Sequence, residues 1–139
     1  MKKVTLCLIV LLFLLSCAAG LAKKDTDAWL ATKTSTSEFN LTGKWDAGGA
    51  FEGGWGDGNF TQEGNKLSGA LGMYDVEGIL SGSEVYLVIS SGGKVYYTAK
   101  LNASEGGKKF SGKACEGAVI DAANAGDARS YELIMKKVD

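Results

Sequence analysis

Residues 63–101 read EGNKLSGALGMYDVEGILSGSEVYLVISSGGKVYYTAKL, a series of short alternating segments separated by glycine. Alternation of apolar and polar residues is typical of strands that bury one face. Gly64-Asn65 and Gly82-Ser83 have the composition of two-residue hairpin turns, and Ser91-Gly92-Gly93 suits a three-residue loop. The stretch therefore predicts consecutive strands that pair antiparallel.

The turns set the register of these strands, and side-chain phase provides a check on it. With turns at Gly82-Ser83, at Tyr74-Asp75 and at the three-residue loop, one inward face stays apolar through four strands. A slip of one residue would expose that whole face, so the agreement is informative. The predicted inward residues are Leu67, Leu71, Met73, Val76, Leu80, Val85, Leu87, Ile89, Val95 and Tyr97.

The same pattern extends in both directions along the chain and indicates an all-β domain. The predicted strands are 39–47, 51–62, 66–73, 75–81, 84–90, 94–103, 108–116 and 128–138. Eight short strands with one apolar face predict an antiparallel up-and-down β-barrel, which also removes exposed sheet edges. A β-sandwich is the alternative.

The N-terminus has the features of an export signal. Lys2 and Lys3 precede an uncharged apolar run, residues 4–15, that is shorter than the roughly 20 residues of a spanning helix. The run ends in Leu14-Leu15-Ser16-Cys17, which resembles the lipobox of bacterial lipoproteins. The resemblance implies cleavage after residues 1–16 and lipidation of Cys17, with several acyl chains giving stable membrane attachment.

The residue after Cys17 bears on location. Ala18 stands where an aspartate marks inner-membrane retention in many Gram-negative lipoproteins, so the resemblance favours a periplasm-facing outer-membrane protein. The alternative is an ordinary secretory signal cut near Ala19 or Ala22. If the chain is cleaved before Cys17, residues 17–38 are predicted to be the lipidated cysteine and a flexible tether. In that tether, Trp29-Leu30 either enters the membrane interface or docks on the barrel.

Charge excludes one class of partner. Removal of residues 1–16 takes away two of the 15 basic residues and none of the 16 acidic ones, so the mature chain is slightly acidic. No basic cluster in it exceeds two residues, which argues against nucleic-acid binding. The domain, residues 39–139, is expected to be a monomer without a cofactor or metal, with a protein partner or an apolar small molecule as its ligand.

Gly43-Lys44-Trp45 in the first predicted strand resembles the Gly-x-Trp motif of the calycin superfamily, which includes lipocalins and avidins. The resemblance implies a barrel whose closed end is filled by Trp45. It also implies a basic residue of the last strand packed over the tryptophan, with Lys137 preferred to Lys136. The later tryptophans that line the avidin ligand site are missing, because Trp55 is the last in this chain.

Two binding regions are predicted. A hollow barrel would hold a small apolar molecule, whereas a filled one would use its small inward residues only to set curvature. The residues predicted to contact such a ligand are Trp45, Leu71, Val85, Leu87, Tyr97 and Tyr131. On the outer face, Tyr86, Val88 and Tyr96 form either a partner surface or ordinary cross-strand packing.

The sequence offers little for catalysis. It has no histidine, and the glycine-rich stretch 48–58 lacks the Gly-Lys-Ser/Thr of a phosphate-binding loop, which favours a bulged strand or a flexible rim loop. The spacing of oxygen-bearing side chains in Asp57-Gly-Asn59 resembles part of a calcium-binding loop. The acid pairs Glu52/Asp57 and Asp75/Glu77 could provide catalytic carboxylates, so an envelope enzyme is the third hypothesis. Cys115 is interpreted as a buried apolar residue, an intermolecular disulfide or a reactive thiol.

Overall fold

The computed structural model describes residues 21–123 and 125–139. The predicted signal sequence, residues 1–16, and Cys17 lie outside the described residues. The helix α1 spans Lys23–Ala31, and the strands are β1 Gly43–Asp46, β2 Asp57–Glu63, β3 Lys66–Leu71, β4 Tyr74–Ser81, β5 Glu84–Ser91, β6 Lys94–Ser104, β7 Lys109–Glu116 and β8 Ser130–Lys137. Within those residues, no helix is both long enough and apolar enough to cross a membrane.

The eight strands form one closed antiparallel barrel. Each strand pairs with its neighbours in sequence, and β8 closes onto β1. The predicted up-and-down barrel is therefore confirmed, and the sandwich alternative is wrong. The Gly64-Asn65 turn joins β2 to β3 as predicted, and the Gly82-Ser83 turn sets Leu80 opposite Val85, also as predicted.

The turn between β3 and β4 is shifted from its predicted place at Tyr74-Asp75. It is formed by Gly72-Met73, so that Leu71 pairs with Tyr74. Gly72 has a φ of +58°, the left-handed conformation that tight hairpin turns require and that glycine adopts without steric cost. Met73 was predicted to point inward, but it lies at the tip of this turn with its side chain exposed.

The turn between β5 and β6 is tighter than predicted. Gly92-Gly93 form a two-residue turn in place of the predicted three-residue loop. Tyr96 is then the extra residue of a β-bulge between Val95 and Tyr97, where the β5–β6 register shifts. The bulge reverses the phase of Val95, whose side chain packs on the outside of the barrel rather than on the predicted inward face. Tyr97 keeps its predicted phase.

Consecutive antiparallel strands bring alternate connections to the same end of the barrel. One end, called the chain-entry end, carries residues 34–42, the turns 64–65 and 82–83, residues 105–108 and the C-terminus. The other end, called the rim, carries residues 47–56, the turns 72–73 and 92–93 and residues 117–129. The first two predicted strands, 39–47 and 51–62, are too long, because residues 39–42 cross the chain-entry end and residues 47–56 form a rim loop.

Side chains fill the barrel as one continuous core. Burial of a large apolar side chain contributes roughly 1.5–3 kcal/mol, so this core is the main source of stability. Its largest fully buried members are Trp45, Phe60, Phe110, Leu41, Leu71, Leu80, Leu87, Ile89, Leu101, Leu133, Met135 and Val76. The Nε1 of Trp45 donates a 2.8 Å hydrogen bond to the carbonyl oxygen of Leu41 toward the chain-entry end.

Residues 21–38 differ from the predicted flexible tether, because they are folded against the barrel. Helix α1 buries Thr26, Trp29 and Leu30 along one face, at the spacing that aligns helical side chains. The apolar pattern of this segment is too short to predict a helix from the sequence. The helix is stabilised by packing its apolar residues on a patch of the barrel. The buried members of this second apolar cluster are Trp29, Leu30, Tyr86, Val88 and Val95. Of the two alternatives for Trp29-Leu30, docking on the barrel is the observed one.

Candidate functional site

An open cleft of about 1080 Å³ lies at the rim of the barrel. We call it the rim cleft. One wall is the loop of residues 47–56, and the other is the end of β8 together with residues of β4 and β6. Its lining comprises residues 46–55, Gly72, Met73, Tyr74, Tyr97, Tyr131, Glu132, Ile134 and Lys136.

The loop of residues 47–56 is held in shape by its own backbone. The N–H of Ala47 donates to the carbonyl oxygen of Gly56 at 3.1 Å, and the N–H of Trp55 donates to the oxygen of Ala47 at 3.0 Å. A Cβ on Gly54 would lie 2.4 Å from the carbonyl carbon of Gly48, so this close crossing of two backbone segments requires glycine. The glycine-rich stretch is thus a hydrogen-bonded rim loop and not a bulged strand.

Four aromatic side chains, called the rim aromatics, form the floor of the rim cleft: Trp55, Tyr74, Tyr97 and Tyr131. Tyr97 is central, with ring centroids 5.0 Å from Trp55, 5.8 Å from Tyr74 and 5.9 Å from Tyr131. All three pairs are nearly perpendicular, an arrangement that aromatic rings favour. The rim aromatics therefore close the barrel above its core and present ring edges and faces to the cleft.

Polar contacts orient two of the rim aromatics. The Nε1 of Trp55 donates to the carbonyl oxygen of Glu132 at 2.9 Å, which ties the rim loop to β8. The hydroxyl of Tyr131 donates to Oε2 of Glu116 at 3.0 Å. Burial raises the pKa of the Tyr97 hydroxyl to about 12, with a smaller contribution from its neighbour Tyr74. Tyr97 therefore stays protonated and neutral throughout the physiological range.

Two large apolar side chains stand unprotected at the mouth of the rim cleft. Phe51, at the tip of the rim loop, is fully exposed, and Met73, at the tip of the β3–β4 turn, is 84% exposed. Single exposed apolar residues are ordinary, but grouped ones beside a concave site mark binding surfaces. Both side chains line the same cleft as the rim aromatics.

The six residues predicted to contact a ligand fall into two groups. Trp45, Leu71, Val85 and Leu87 are fully buried within the continuous core, where side chains pack against one another. Tyr97 and Tyr131 instead line the rim cleft. The structure thus brings only the second group to an open site. Lys137, the predicted cover of Trp45, lies directly opposite it in the β1–β8 ladder.

The predicted outer interaction surface is largely covered by the chain itself. Tyr86 and Val88 do point outward, as their phase predicts, but each is at most 6% exposed, because both belong to the second apolar cluster, against which Val119 and Ile120 also pack. Trp29 packs edge-on against Tyr86, with 5.7 Å between ring centroids. Tyr96 stays partly exposed and packs against Tyr74 beside the rim. Tyr86 and Val88 therefore serve to dock the helix and offer no free surface to a partner.

Charged groups anchor the covering helix. Burial acts to raise the pKa of Asp121, but hydrogen bonds from Trp29 and Lys33 outweigh it and hold that pKa below its usual value. Burial, followed by a hydrogen bond with Glu84, raises the pKa of Tyr86. The hydrogen bonds to Asp121 join Trp29 of α1, and Lys33 just after the helix, to the connection between β7 and β8, whereas the contact between Tyr86 and Glu84 lies within β5.

The remaining chemistry of the predicted sites is sparse. Glu52 lines the rim cleft, whereas Glu77 accepts a 3.2 Å hydrogen bond from Lys23 of α1. Cys115 is buried, and that burial raises the pKa of its thiol. Across residues 21–123 and 125–139, no three cysteine or carboxylate side chains converge to hold a metal ion.

Trp55 and Tyr74 are site residues that the sequence prediction missed. The predicted turn at Tyr74-Asp75 takes Tyr74 out of the strands, and the predicted strand 51–62 contains Trp55 without indicating a contact for it. The sequence signal that could have identified Trp55 is an aromatic residue inside a glycine-rich loop, because a large side chain is what holds such a loop against the rest of the domain.

Fold and site together define a closed eight-stranded antiparallel barrel with an aromatic cleft at one end. No protein-family model, curated protein or solved structure matches the chain.

Proposed function

We propose that this protein is a lipid-anchored, non-enzymatic binding module of the bacterial envelope, and that the rim cleft is its binding site. The lipobox-like residues Leu14–Cys17 support the anchor, and Ala18 supports an outer-membrane location facing the periplasm. The absence of histidine from the chain, and a site lined mainly by aromatic, glycine and apolar residues, favour binding over catalysis.

The observation that carries the proposal is the combination of cleft and exposed apolar side chains. Sites for ligands are concave, largely apolar and provided with a few polar groups. The rim cleft has this composition, and Phe51 and Met73 extend its apolar surface beyond the barrel. A partner seated there would remove both side chains from water, which is favourable by about 25 cal/mol per Å² of apolar area.

Docking of α1 affects how the anchor would hold the domain. Leu21, the first described residue, already packs against the second apolar cluster. Only four peptide steps separate it from Cys17, a distance of at most roughly 14 Å when fully extended. A lipid on Cys17 therefore keeps the barrel close to the membrane surface, rather than on a tether of 20 residues.

Crosslinking in cells tests the binding site. A photoreactive amino acid placed at position 51 is expected to give a discrete adduct, because this side chain stands at the mouth of the cleft. The same amino acid at Lys108, at the opposite end of the barrel, is the matched control. Tyr131→Ala in the position-51 variant should reduce the adduct. Equal adducts from positions 51 and 108 would contradict the proposed site.

The anchor has a separate test. Cys17→Ser is expected to leave the protein soluble in the periplasm or unprocessed, whereas the unaltered chain fractionates with the outer membrane. Membrane retention of Cys17→Ser at the normal level would refute lipidation at this residue.

A second candidate function is carriage of an apolar small molecule in the rim cleft. It is favoured by the placement of Tyr97 and Tyr131 on the cleft floor. Native mass spectrometry of residues 18–139, gently purified from the natural host, is expected to show a discrete adduct in that case. The adduct should disappear in the Ala50→Trp variant, in which a large side chain occupies the cleft.

A further inference from the structure

The barrel is closed by its shortest ladder. β1 and β8 share only two paired positions, Trp45 with Lys137 and Asp46 with Lys136, whereas β7 and β8 share seven. The pairing stops because the chain leaves β8 after Asp46: the N–H of Gly48 donates to the side-chain oxygen of Asp46 at 2.8 Å, and the rim loop begins. The half of β8 nearest the rim therefore lacks a neighbour on that side.

Hydrogen-bond direction alternates along an antiparallel strand, so the free groups can be assigned. The N–H of Lys137 donates toward β7, to Lys108, and the N–H of Val138 donates toward β1, to Lys44. Even-numbered residues of β8 consequently direct their backbone groups to the β1 side. Among the described residues, neither the N–H of Glu132 nor that of Ile134 has a hydrogen-bond partner.

The rim cleft opens onto this free edge. Glu132 and Ile134 line it, as do the rim loop and Tyr131. One of the edge carbonyls, that of Glu132, already accepts a hydrogen bond from the indole of Trp55, which shows that a donor reaches the edge from inside the cleft. Unpaired strand edges with an adjoining apolar groove are the surfaces to which extended peptides add as a further strand.

We propose that an extended peptide segment of a partner protein, carrying basic and apolar side chains, binds by adding a strand to β8 between Ser130 and Ile134. This inference rests on the proposed function and names the partner chemistry of the same cleft. The peptide backbone would pair with the N–H of Glu132 and with the N–H and C=O of Ile134, since the oxygen of Glu132 already accepts the indole N–H of Trp55. The apolar side chains of the peptide would contact Tyr131 and Phe51.

Charge at the cleft favours a basic peptide. Three carboxylates, those of Asp46, Glu52 and Glu132, line the cleft against the single ammonium of Lys136. None of these four groups forms a salt bridge within the described residues. Complementary charge across an interface raises association rates and selects partners.

Two symmetric pairings of this edge with a second copy of the chain meet a conflict. A symmetric antiparallel pairing centred on Ile134 would require the backbone of Lys136, which is already engaged with Asp46. A pairing centred on Glu132 would place two carboxylates opposite each other, which is unfavourable. A short peptide that pairs with β8 only as far as Ile134, and so leaves the pair of Asp46 with Lys136 in place, avoids both conflicts.

The experiment uses the mature chain with Cys17→Ser and the peptide acetyl-Lys-Val-Thr-Val-Lys-amide, followed by NMR. The amides of Glu132 and Ile134 should exchange rapidly with solvent in the free protein, whereas those of Leu133 and Met135, which face β7, should be protected. Added peptide is expected to shift the first two amides and slow their exchange.

Two control peptides and two variants decide between backbone pairing and unspecific attraction. A peptide N-methylated at all five residues has no backbone N–H to donate to the ladder and should bind at least tenfold more weakly, as should the same sequence with glutamate in place of lysine. Glu52→Lys combined with Glu132→Lys should also weaken binding tenfold. Ile134→Pro, which removes one edge N–H, should abolish the shift at Glu132.

Equal binding of the N-methylated peptide, or no shift of Glu132 and Ile134 at millimolar peptide, would overturn strand addition. The adduct from position 51 in cells is independent of that result. Its persistence would leave the proposed binding site standing without strand addition, and its loss would overturn the proposed function itself.

Discussion

The indole N–H of Trp29 donates a 3.2 Å hydrogen bond to Oδ2 of Asp121, and so joins α1 to the connection between β7 and β8. The Nζ of Lys33 contacts the same oxygen at 3.1 Å and lies 4.3 Å from the ring centroid of Tyr86. The segment before the barrel is thus attached by a buried apolar contact and by charge. Its attachment buries Tyr86 and Val88 on the side of the barrel.

Loss of the Trp29 side chain should detach the helix. Trp29→Ala removes the edge contact with Tyr86 and the hydrogen bond to Asp121, and we expect a loss of about 3 kcal/mol in the free energy of unfolding. Asp27→Ala is the matched control in the same helix, since its pair with Lys23 is exposed and exposed ion pairs contribute little to stability. Urea denaturation measures both, and equal losses would show that α1 is not anchored through Trp29.

Asp121 should make stability depend on acid pH. Its pKa is lower in the folded chain than the ordinary value of 3.8, so its ionised form stabilises the fold above about pH 4. That contribution is lost as the pH falls through the lowered pKa. Asp121→Asn should therefore be less stable than the unaltered protein at pH 6, with a smaller difference at pH 2. An undiminished difference at pH 2 would exclude the carboxylate charge as the cause.

The rim should depend on Gly72 for steric reasons. A Cβ there would lie 2.2 Å from the carbonyl oxygen of Trp55, whereas a Cβ on Gly92, at the same φ of +58°, meets nothing within 4 Å. Gly92→Ala should cost about 1–2 kcal/mol from the left-handed backbone alone. Gly72→Ala should cost at least about 1 kcal/mol more and change the fluorescence of Trp55. Equal costs would show that the rim loop moves freely away from the turn.

Trp45 should be intolerant even of a conservative change. Trp45→Phe keeps an aromatic ring beside Phe110 but removes the donor to the carbonyl oxygen of Leu41, which is left unsatisfied in the core. Together with the lost volume, we expect a cost of about 2–4 kcal/mol. Phe39→Leu, at a partly buried position packed on the same core, is the milder control. Thermal unfolding of both variants provides the measurement.

Much of the barrel could be predicted from the sequence because its signals are local. The alternation through Val85, Leu87 and Ile89 sets the inward face of β5, and Gly82-Ser83 has the composition of a hairpin turn. Where several glycines stand close together, local signals become ambiguous. The two turns whose predicted positions are wrong are observed at residues 72–73 and 92–93, and both contain glycine. The bulge at Tyr96 adds a reversal of side-chain phase that alternation does not reveal.

The sequence by itself determined the all-β class, the strand number and most of the core, because strand period and hairpin composition act over a few residues. Tertiary structure alone decided that Tyr86 lies beneath α1, since Trp29, which packs on it, is more than 50 residues away in the chain. It also decided the rim cleft, where Trp55, Tyr97 and Tyr131 converge from three separate segments. Contacts between distant segments depend on how the sheet curves and closes, and no local pattern of residues specifies that geometry.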